Sequence, residues 1–236
     1  DPKRVVKAVE DLYFREPATK PVLEDYAAQV AAWNSIRTAF YFQNLSVEAL
    51  AHVYENTFVS KELRTLYSIH GTPPYIAEYI VRHLPFDKLE DRERVVFEPF
   101  AGHAVFLVAA MRRLRELLPS PMSIEERHEY FVQRLSGIEK EEFAWEVGRL
   151  SLMLADYPNP NGWRLVQGDA FQSPVVDEEI ARAGIVLCNP PFEDFTMDER
   201  RIYTNLHSVH KPIEILQRII THPQRPLLLG FVLPRT

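Results

Sequence analysis

Short apolar segments alternate with helical patterns from residue 94 onward, and this alternation limits the fold more than any other feature. The predicted strands span residues 94–98, 136–139, 163–166, 184–188 and 227–233. The predicted helices span residues 104–118, 141–155 and 212–222, and residues 119–133 form an insertion. Strands that alternate with helices pair in parallel, which predicts an α/β fold: a doubly wound, mostly parallel sheet with helices on both faces. Such sheets bind their ligands at the carboxyl ends of the strands.

The N-terminal part of the sequence shows helical spacing and no strand pattern. Apolar side chains recur on one helical face at Leu23, Tyr26, Ala27 and Val30. Ser46 is a predicted N-cap for a further helix. We therefore predict an N-terminal helical region in residues 1–68 and one α/β domain in residues 69–236.

A Thr-Pro pair marks the start of the first helix predicted in the α/β domain. Thr72 would cap this helix, and Pro73 would take its first helical position. The helix would end at Pro85, because proline stops a helix at the residue before it.

The composition is that of an ordinary globular protein and excludes several classes. No run of 18 or more apolar residues occurs, so neither a membrane span nor a membrane partner is predicted. The only cysteine, Cys188, excludes an internal disulfide, and its predicted role is a small buried side chain in a strand. With no secretory signal at the start, we expect a cytoplasmic protein. Because the sequence begins at Asp1 and stops just after a strand pattern, we expect a piece of a longer protein.

Three motifs follow the first three predicted strands. Glu98-Pro99-Phe100-Ala101-Gly102 places a glycine before a helix N-terminus, where the backbone can approach a ligand closely, although the G-x-G-x-x-G spacing of dinucleotide-binding loops is absent. Glu139 ends the second strand, and its two oxygens can accept both hydroxyls of a ribose; the alternative is a surface glutamate that caps the next helix. Gly168-Asp169-Ala170-Phe171 offers an acceptor for an adenine amino group and an apolar wall; the alternative is a plain turn.

The fourth motif, Asn189-Pro190-Pro191-Phe192, directly follows the apolar run at residues 184–188. An aromatic exocyclic amine is a poor nucleophile because its lone pair is delocalised into the ring. Two acceptors, the Asn189 side-chain oxygen and the Pro190 carbonyl, can hold the amine hydrogens and direct the lone pair toward an electrophilic methyl group. The prolines stiffen the loop, and Phe192 can stack on a base or lie near a sulfonium. We interpret this motif as the target-amine pocket of an amino-methyltransferase.

Taken in order, these motifs resemble those of the S-adenosylmethionine-dependent N6-adenine DNA methyltransferases of bacterial restriction–modification systems. The resemblance covers residues 50 to 236 and includes Thr72-Pro73-Pro74-Tyr75 upstream of the cofactor loop. It implies the Rossmann-like fold of class I methyltransferases, S-adenosylmethionine as cofactor, and neither a metal nor a covalent nucleophile. DNA is the implied partner, bound through a recognition domain beyond this chain, with a restriction subunit fused or associated.

The resemblance also implies a role for each motif. The residues implied for the methionine part of the cofactor are Thr72, Pro73, Tyr75, Glu98, Phe100, Ala101 and Gly102. Glu139 would hold the ribose, and Asp169, Ala170 and Phe171 the cofactor adenine. Asn189, Pro190, Pro191 and Phe192 would form the catalytic site around a flipped-out target base.

The sequence departs from the family pattern in the cofactor loop and in the target loop. His103-Ala104 stands where the family commonly has Ser-Gly, and Phe192 replaces a more frequent tyrosine. Phenylalanine retains stacking, so the chemistry is not threatened. His103 would pack beneath the loop or bond to the cofactor carboxyl group, with packing favoured.

Other functions stay open at this point. The amine acceptor could belong to RNA or to a protein glutamine, or the chain could be a cofactor-binding module that lacks activity by itself. A net charge of −6 counts against a nucleic-acid groove on this surface, although a separate recognition region can carry the basic face. His207 and His210 could suggest a metal, but solvated or capping roles are favoured because no further ligand set lies nearby in the sequence.

Overall fold

The structure, a computed structural model, describes residues 25–39, 71–118, 122–159, 161–203 and 206–234. The chain divides into two compact units, residues 1–49 and 50–236. In the first unit the described residues form helix α1, Tyr26–Ala39, within the predicted helical region. The boundary predicted at residue 68 and the helix predicted after Ser46 lie outside the described residues.

The second unit contains a five-stranded, all-parallel sheet with the order β3-β2-β1-β4-β5. Its strands are β1 (Val96–Glu98), β2 (Leu135–Glu139), β3 (Arg164–Gln167), β4 (Ile185–Cys188) and β5 (Leu228–Phe231). Its helices are α2 (Pro74–His83), α3 (Val105–Glu116), α4 (Ile124–Arg134), α5 (Glu142–Ala155), α6 (Val175–Arg182), α7 (Met197–Ile202) and α8 (Lys211–Thr221). Short 3-10 helices occur at Phe86–Lys88 and Asp91–Glu93. The predicted doubly wound α/β sheet is confirmed.

The strand order reverses between β1 and β4. Val96 lies beside Leu135 of β2 on one side and beside Ile185 of β4 on the other. The chain therefore builds β1, β2 and β3 outward in one direction, then returns to β4 and continues in the other. In such sheets the crevice at the reversal, outside the carboxyl ends of the strands, is where ligands bind.

Helices cover both faces of the sheet, because the central strands are apolar on both sides. On one face Phe97, Val186 and Cys188 pack with Ile180 of α6 and Ile215 of α8. The other face is covered mainly by α3, which packs against α2 and α5 and is buried at residues 105–111 and at Leu114. Cys188 is a buried free thiol, as its position in an apolar strand predicts.

Several element boundaries differ from the sequence predictions for local reasons. β1 begins at Val96 because the preceding residues form the 3-10 helix Asp91–Glu93, which has Arg94 as its C-cap. The Arg94 guanidinium also binds the Phe86 carbonyl, with 3.1 Å between Nε and the oxygen. The N-cap of α2 is Pro73 and its first residue Pro74, one position later than predicted, and the cap position carries no side-chain hydrogen bond. Ala104 lies outside α3 because its φ of 64° is left-handed.

Two helices, α6 and α7, were absent from the sequence predictions, since each is too short to show a clear period. The predicted insertion is helix α4, which begins with a capping box between Ser123 and Glu126. No helix among the described residues is long and apolar enough to cross a membrane.

Candidate active site

A cavity of about 560 Å³ opens at the carboxyl ends of the central strands, next to the strand-order reversal. This volume lies in the range typical of small-molecule and cofactor sites. The predicted site residues that line it are Thr72, Glu98, Phe100, Ala101, Gly102, Glu139, Asp169, Ala170, Phe171, Asn189, Pro190 and Pro191. The fold thus brings motifs separated by more than a hundred residues around one space.

Three predicted site residues are not among those that line the cavity: Pro73, Tyr75 and Phe192. Tyr75 lies on α2 with 72% of its surface exposed. Pro73 caps α2 through its backbone, and Phe192 is partly buried at the end of its loop. Their assigned contacts with the cofactor and the target base stay predictions.

The loop after β1 is held to the end of β2 by backbone hydrogen bonds. The Ala101 N–H donates to the Ile138 carbonyl at 2.9 Å, and the Gly102 N–H donates to Glu139 Oε2 at 2.7 Å. Gly102 and Ala104 both have left-handed φ angles, 52° and 64°. Glycine adopts this conformation freely, whereas an alanine does so at a cost of about 1 kcal/mol. The departure from the family's Ser-Gly pattern therefore places local strain at this turn.

His103 is the other departure in this loop, and it lies buried with 3% exposure at the wall of the cavity. Burial lowers its pKa to about 4, because a charged imidazolium loses its hydration there. The imidazole is consequently neutral at physiological pH and contributes packing and a polar edge, not positive charge.

Glu139 is fixed by two backbone donors. Its Oε2 accepts from Gly102, and its Oε1 accepts from the Glu141 N–H at 2.8 Å. Burial raises the pKa of Glu139, and the two backbone hydrogen bonds oppose that rise. These backbone donors orient the carboxylate, and a carboxylate offers about four lone-pair positions, so it can still accept from a vicinal diol.

Glu98 lies deeper in the same cavity, with 1% exposure. Burial raises its pKa well above the usual 4.5, and the nearby charge of Glu139 adds to the effect. Its Oε2 is buried with no hydrogen-bond partner among the described residues. A buried carboxyl oxygen in this state is suited to a cationic donor such as the α-ammonium of an amino acid, which would offset its desolvation.

Asp169 receives three hydrogen-bond donors. Its Oδ1 accepts from the Phe171 N–H at 2.9 Å, and its Oδ2 accepts from the Tyr203 hydroxyl at 2.7 Å and from Lys140 Nζ at 3.2 Å. Burial acts to raise the pKa of Asp169, but the bonds from Tyr203 and Phe171 and the charge of Lys140 lower it overall. Asp169 is therefore an ionised acceptor at the edge of the cavity.

The Phe171 ring beside Asp169 belongs to an aromatic cluster that we call the Phe171 cluster: Phe100, Phe171, Phe195 and Tyr203. Ring centroids lie 5.2 Å from Phe171 to Phe100 and 4.8 Å from Phe171 to Phe195. Tyr203 lies 5.3 Å from Phe195 and completes the cluster. Phe100, Phe171 and Tyr203 line the cavity and give its Asp169 side an apolar wall, with Phe195 packed behind them.

Asn189 is held by Thr72, a contact that the sequence did not reveal. The Asn189 Nδ2 donates to Thr72 Oγ1 at 2.9 Å, and Thr72 is 5% exposed. The loop before α2 therefore orients the amide at the end of β4. Because this bond engages the amide nitrogen, the amide oxygen is not consumed by it.

Lys211 anchors the segment that follows the Asn189 loop. Its Nζ lies 2.8 Å from a Glu193 oxygen and 2.9 Å from a Glu199 oxygen, and its side chain is 8% exposed. Burial acts to lower the pKa of Lys211, but the two carboxylates raise it overall. The sequence showed Lys211 only as a helix start, because no periodic pattern links a lysine to glutamates twelve and eighteen residues earlier.

The two histidines after α7 pair with carboxylates separately. His207 Nδ1 lies 3.4 Å from Glu214, and His210 binds Asp194. Among the described residues, no group of three or more histidine, cysteine, aspartate or glutamate side chains is arranged to hold a metal ion.

The chain shares its fold with methyltransferases of known structure, although no family model and no curated protein sequence matches it. The restriction–modification enzyme MmeI of Type IIL, solved in complex with DNA, superposes with a TM-score of 0.66 at 18% identity, over 93% of this chain and 37% of MmeI. The assigned modification subunit of a type I restriction enzyme from Vibrio vulnificus superposes with a TM-score of 0.54 at 19% identity, over 80% of this chain and 40% of that subunit. A protein assigned as a class I S-adenosylmethionine-dependent methyltransferase from Listeria monocytogenes superposes with a TM-score of 0.51 at 13% identity, over 94% of this chain and 62% of that protein.

These likenesses establish the class of fold. The α/β domain has the Rossmann-like fold of class I methyltransferases, which the modification subunits of restriction–modification systems share. The chain spans less than half the length of MmeI and of the Vibrio vulnificus subunit.

Proposed function

We propose that the chain carries the catalytic site of an S-adenosylmethionine-dependent methyltransferase that modifies the N6 amine of adenine in DNA, as part of a restriction–modification system. One observation carries the proposal: the Asn189 loop lines the same cavity as Glu98, Glu139 and Asp169. A target-amine site and a nucleoside site that share one space are what direct methyl transfer needs.

The donors and acceptors around the cavity fit the parts of the cofactor. Glu98 would pair with the methionine ammonium, Glu139 would accept the ribose hydroxyls, and Asp169 would accept from the adenine amine. The Phe171 cluster would pack against the adenine ring. S-adenosylmethionine, when bound, supplies an electrophilic methyl group on a sulfonium.

The residues of the Asn189 loop would prepare the target amine. The Asn189 side-chain oxygen and the Pro190 carbonyl would accept its two hydrogens, so that the nitrogen lone pair leaves conjugation with the ring. Thr72 holds the Asn189 side chain, because the amide nitrogen of Asn189 donates to the Thr72 hydroxyl. The adjacent prolines fix the direction of the Pro190 carbonyl. As positive charge develops on the nitrogen, these preset acceptors stabilise it without reorganising.

The proposed DNA partner is supported by the neighbouring structures and not by the charge of this chain. MmeI was solved in complex with DNA, and other neighbours belong to restriction–modification systems. With a net charge of −6, the chain itself lacks the excess of lysine and arginine that phosphate binding needs. We therefore assign DNA recognition to a basic region of the parent protein or to a partner subunit.

Transfer of a tritiated methyl group tests the substrate. The parent protein is incubated with unmethylated duplex DNA, RNA and a glutamine-containing protein, and nucleosides are separated to locate the label. We expect label in DNA alone, on N6 of adenine. Label confined to RNA or protein would show that the acceptor is not DNA. Cofactor binding without label in any acceptor would favour a binding module without activity.

Substitution of Asn189 by alanine tests the assignment of the target loop. The variant should lose transfer by at least about a hundredfold while cofactor affinity changes by less than a few-fold, because its acceptor serves the amine. Glu139→Ala should do the reverse and weaken cofactor binding first. Asn34→Ala and Glu178→Gln, at exposed positions on α1 and α6, are matched controls that should leave both quantities unchanged. Loss of cofactor binding in Asn189→Ala would contradict the assignment.

A further inference from the structure

We propose that Tyr203 is a positioning residue for cofactor recognition: its hydroxyl holds the Asp169 carboxylate in the orientation that accepts the 6-amino group of the cofactor adenine. This inference rests on the proposed function, and it adds a residue that neither the sequence motifs nor the family resemblance identified.

The hydrogen bonds at Asp169 leave one acceptor direction for a ligand. A carboxylate offers about four lone-pair positions. On Oδ2 two are taken, by the Tyr203 hydroxyl at 2.7 Å and by Lys140 at 3.2 Å. On Oδ1 one is taken by the Phe171 N–H at 2.9 Å. The remaining position belongs to Oδ1, and an amino group can donate to it, whereas a purine without that amino group cannot.

Of the two donors to Oδ2, Tyr203 is the one that can fix the carboxylate. Its side chain is buried at 8% exposure, while the Lys140 side chain is 60% exposed. An exposed lysine gains little from an ion pair and keeps many rotamers. A buried phenol that donates to an ionised carboxylate makes a stronger and better directed bond.

The Tyr203 ring is itself held in place by the segment after the Asn189 loop. The ring packs against Phe195 and Phe171, and the Tyr203 N–H donates to the Glu199 carbonyl at 2.7 Å. Glu199 in turn forms a capping box with Thr196 and pairs with Lys211. The hydroxyl therefore reaches Asp169 from a ring and a backbone that are each held by several contacts.

The experiment compares two ligands that differ only at the amino group. Affinities of S-adenosylhomocysteine and of its 6-deamino analogue, in which hydrogen replaces the amino group, are measured by calorimetry for the unmodified protein and for Tyr203→Phe. We expect the unmodified protein to prefer the amino ligand by about tenfold or more. Tyr203→Phe should weaken the amino ligand by about tenfold and leave the analogue within twofold, so that the preference largely disappears.

Two further variants separate positioning from general damage. Tyr79→Phe, at a tyrosine of α2 that is 61% exposed, should keep the full preference. Lys140→Ala should keep the preference within threefold, because Tyr203 still orients the carboxylate; equal loss in this variant would assign the role to Lys140 and overturn the proposal. Lys140→Ala also supplies the test if Tyr203→Phe does not fold.

The outcomes distinguish this inference from the function on which it rests. An unchanged preference in Tyr203→Phe, or tighter binding of the amino ligand, refutes the role of Tyr203 while the methyltransferase proposal stands. If the unmodified protein binds neither ligand, both proposals fail together.

Discussion

Replacing Thr72 by valine removes the hydroxyl that holds Asn189 and changes little else in the side chain. In the structure, Asn189 Nδ2 donates to this hydroxyl at 2.9 Å, and Thr72 is 5% exposed, so water does not readily replace the lost acceptor. Loss of a buried hydrogen-bond partner costs about 1–2 kcal/mol. If the bond serves to orient the amide for the target amine, this cost falls on the transition state and slows transfer roughly 5- to 30-fold.

Single-turnover transfer and calorimetric binding of S-adenosylhomocysteine measure the two effects separately. We expect Thr72→Val to lower the rate by that factor and to leave cofactor affinity within twofold. Thr72→Ser, which keeps the hydroxyl, is the matched control and should retain nearly the full rate. The reasoning fails if Thr72→Val weakens cofactor binding and spares the rate. That result would favour the contact with the methionine part that the family resemblance implies for Thr72.

Two further predictions concern the stability of the fold. Glu98→Gln should raise the free energy of unfolding at pH 8 by about 1–3 kcal/mol and have little effect at pH 4.5, while it weakens cofactor binding. The sign follows from the raised pKa of Glu98. The protonated Glu98 side chain is tolerated in the folded protein below pH 4.5, but as the pH rises its burial favours unfolding, and glutamine removes that penalty. Urea denaturation at both pH values checks this, and equal effects at the two would contradict it. Gly184→Ala should destabilise by about 3 kcal/mol or more, because an added Cβ would lie 1.8 Å from the Glu93 carbonyl oxygen. Gly168→Ala, where the nearest atom is 4.0 Å away, should change the unfolding midpoint little in the same denaturation series.

The sequence was sufficient to predict the strands and the strand-end motifs. β1 and β4 are buried along their whole length. β4 therefore appears as a continuous apolar run before Asn189, and β1 appears as a short apolar run that ends at Glu98. Parallel strands bring their carboxyl ends to one edge, which is why Glu139 and Asn189 could be predicted to share a site. Short helices such as α7 were not predicted, because six residues are too few to show the spacing of apolar residues that marks a helix.

The contacts between motifs could not be predicted, because they join residues with no periodic relation. Tyr203 lies 34 residues from Asp169, and Thr72 lies 117 residues from Asn189. Each of these pairs depends on how loops from different strands meet above the sheet. A tyrosine or threonine in a loop carries no sign of its partner in the sequence.

Residues 193–203 follow the Asn189 loop at the end of β4 and finish at Tyr203, whose hydroxyl donates to Asp169 in the loop after β3. If the Asn189 loop holds the acceptor, as we propose, an exchange of residues 193–203 to change that acceptor would also replace Tyr203 and Glu199. On the proposals above, we expect such an exchange to weaken the preference for the amino group of the cofactor adenine unless Tyr203 and Glu199 are retained.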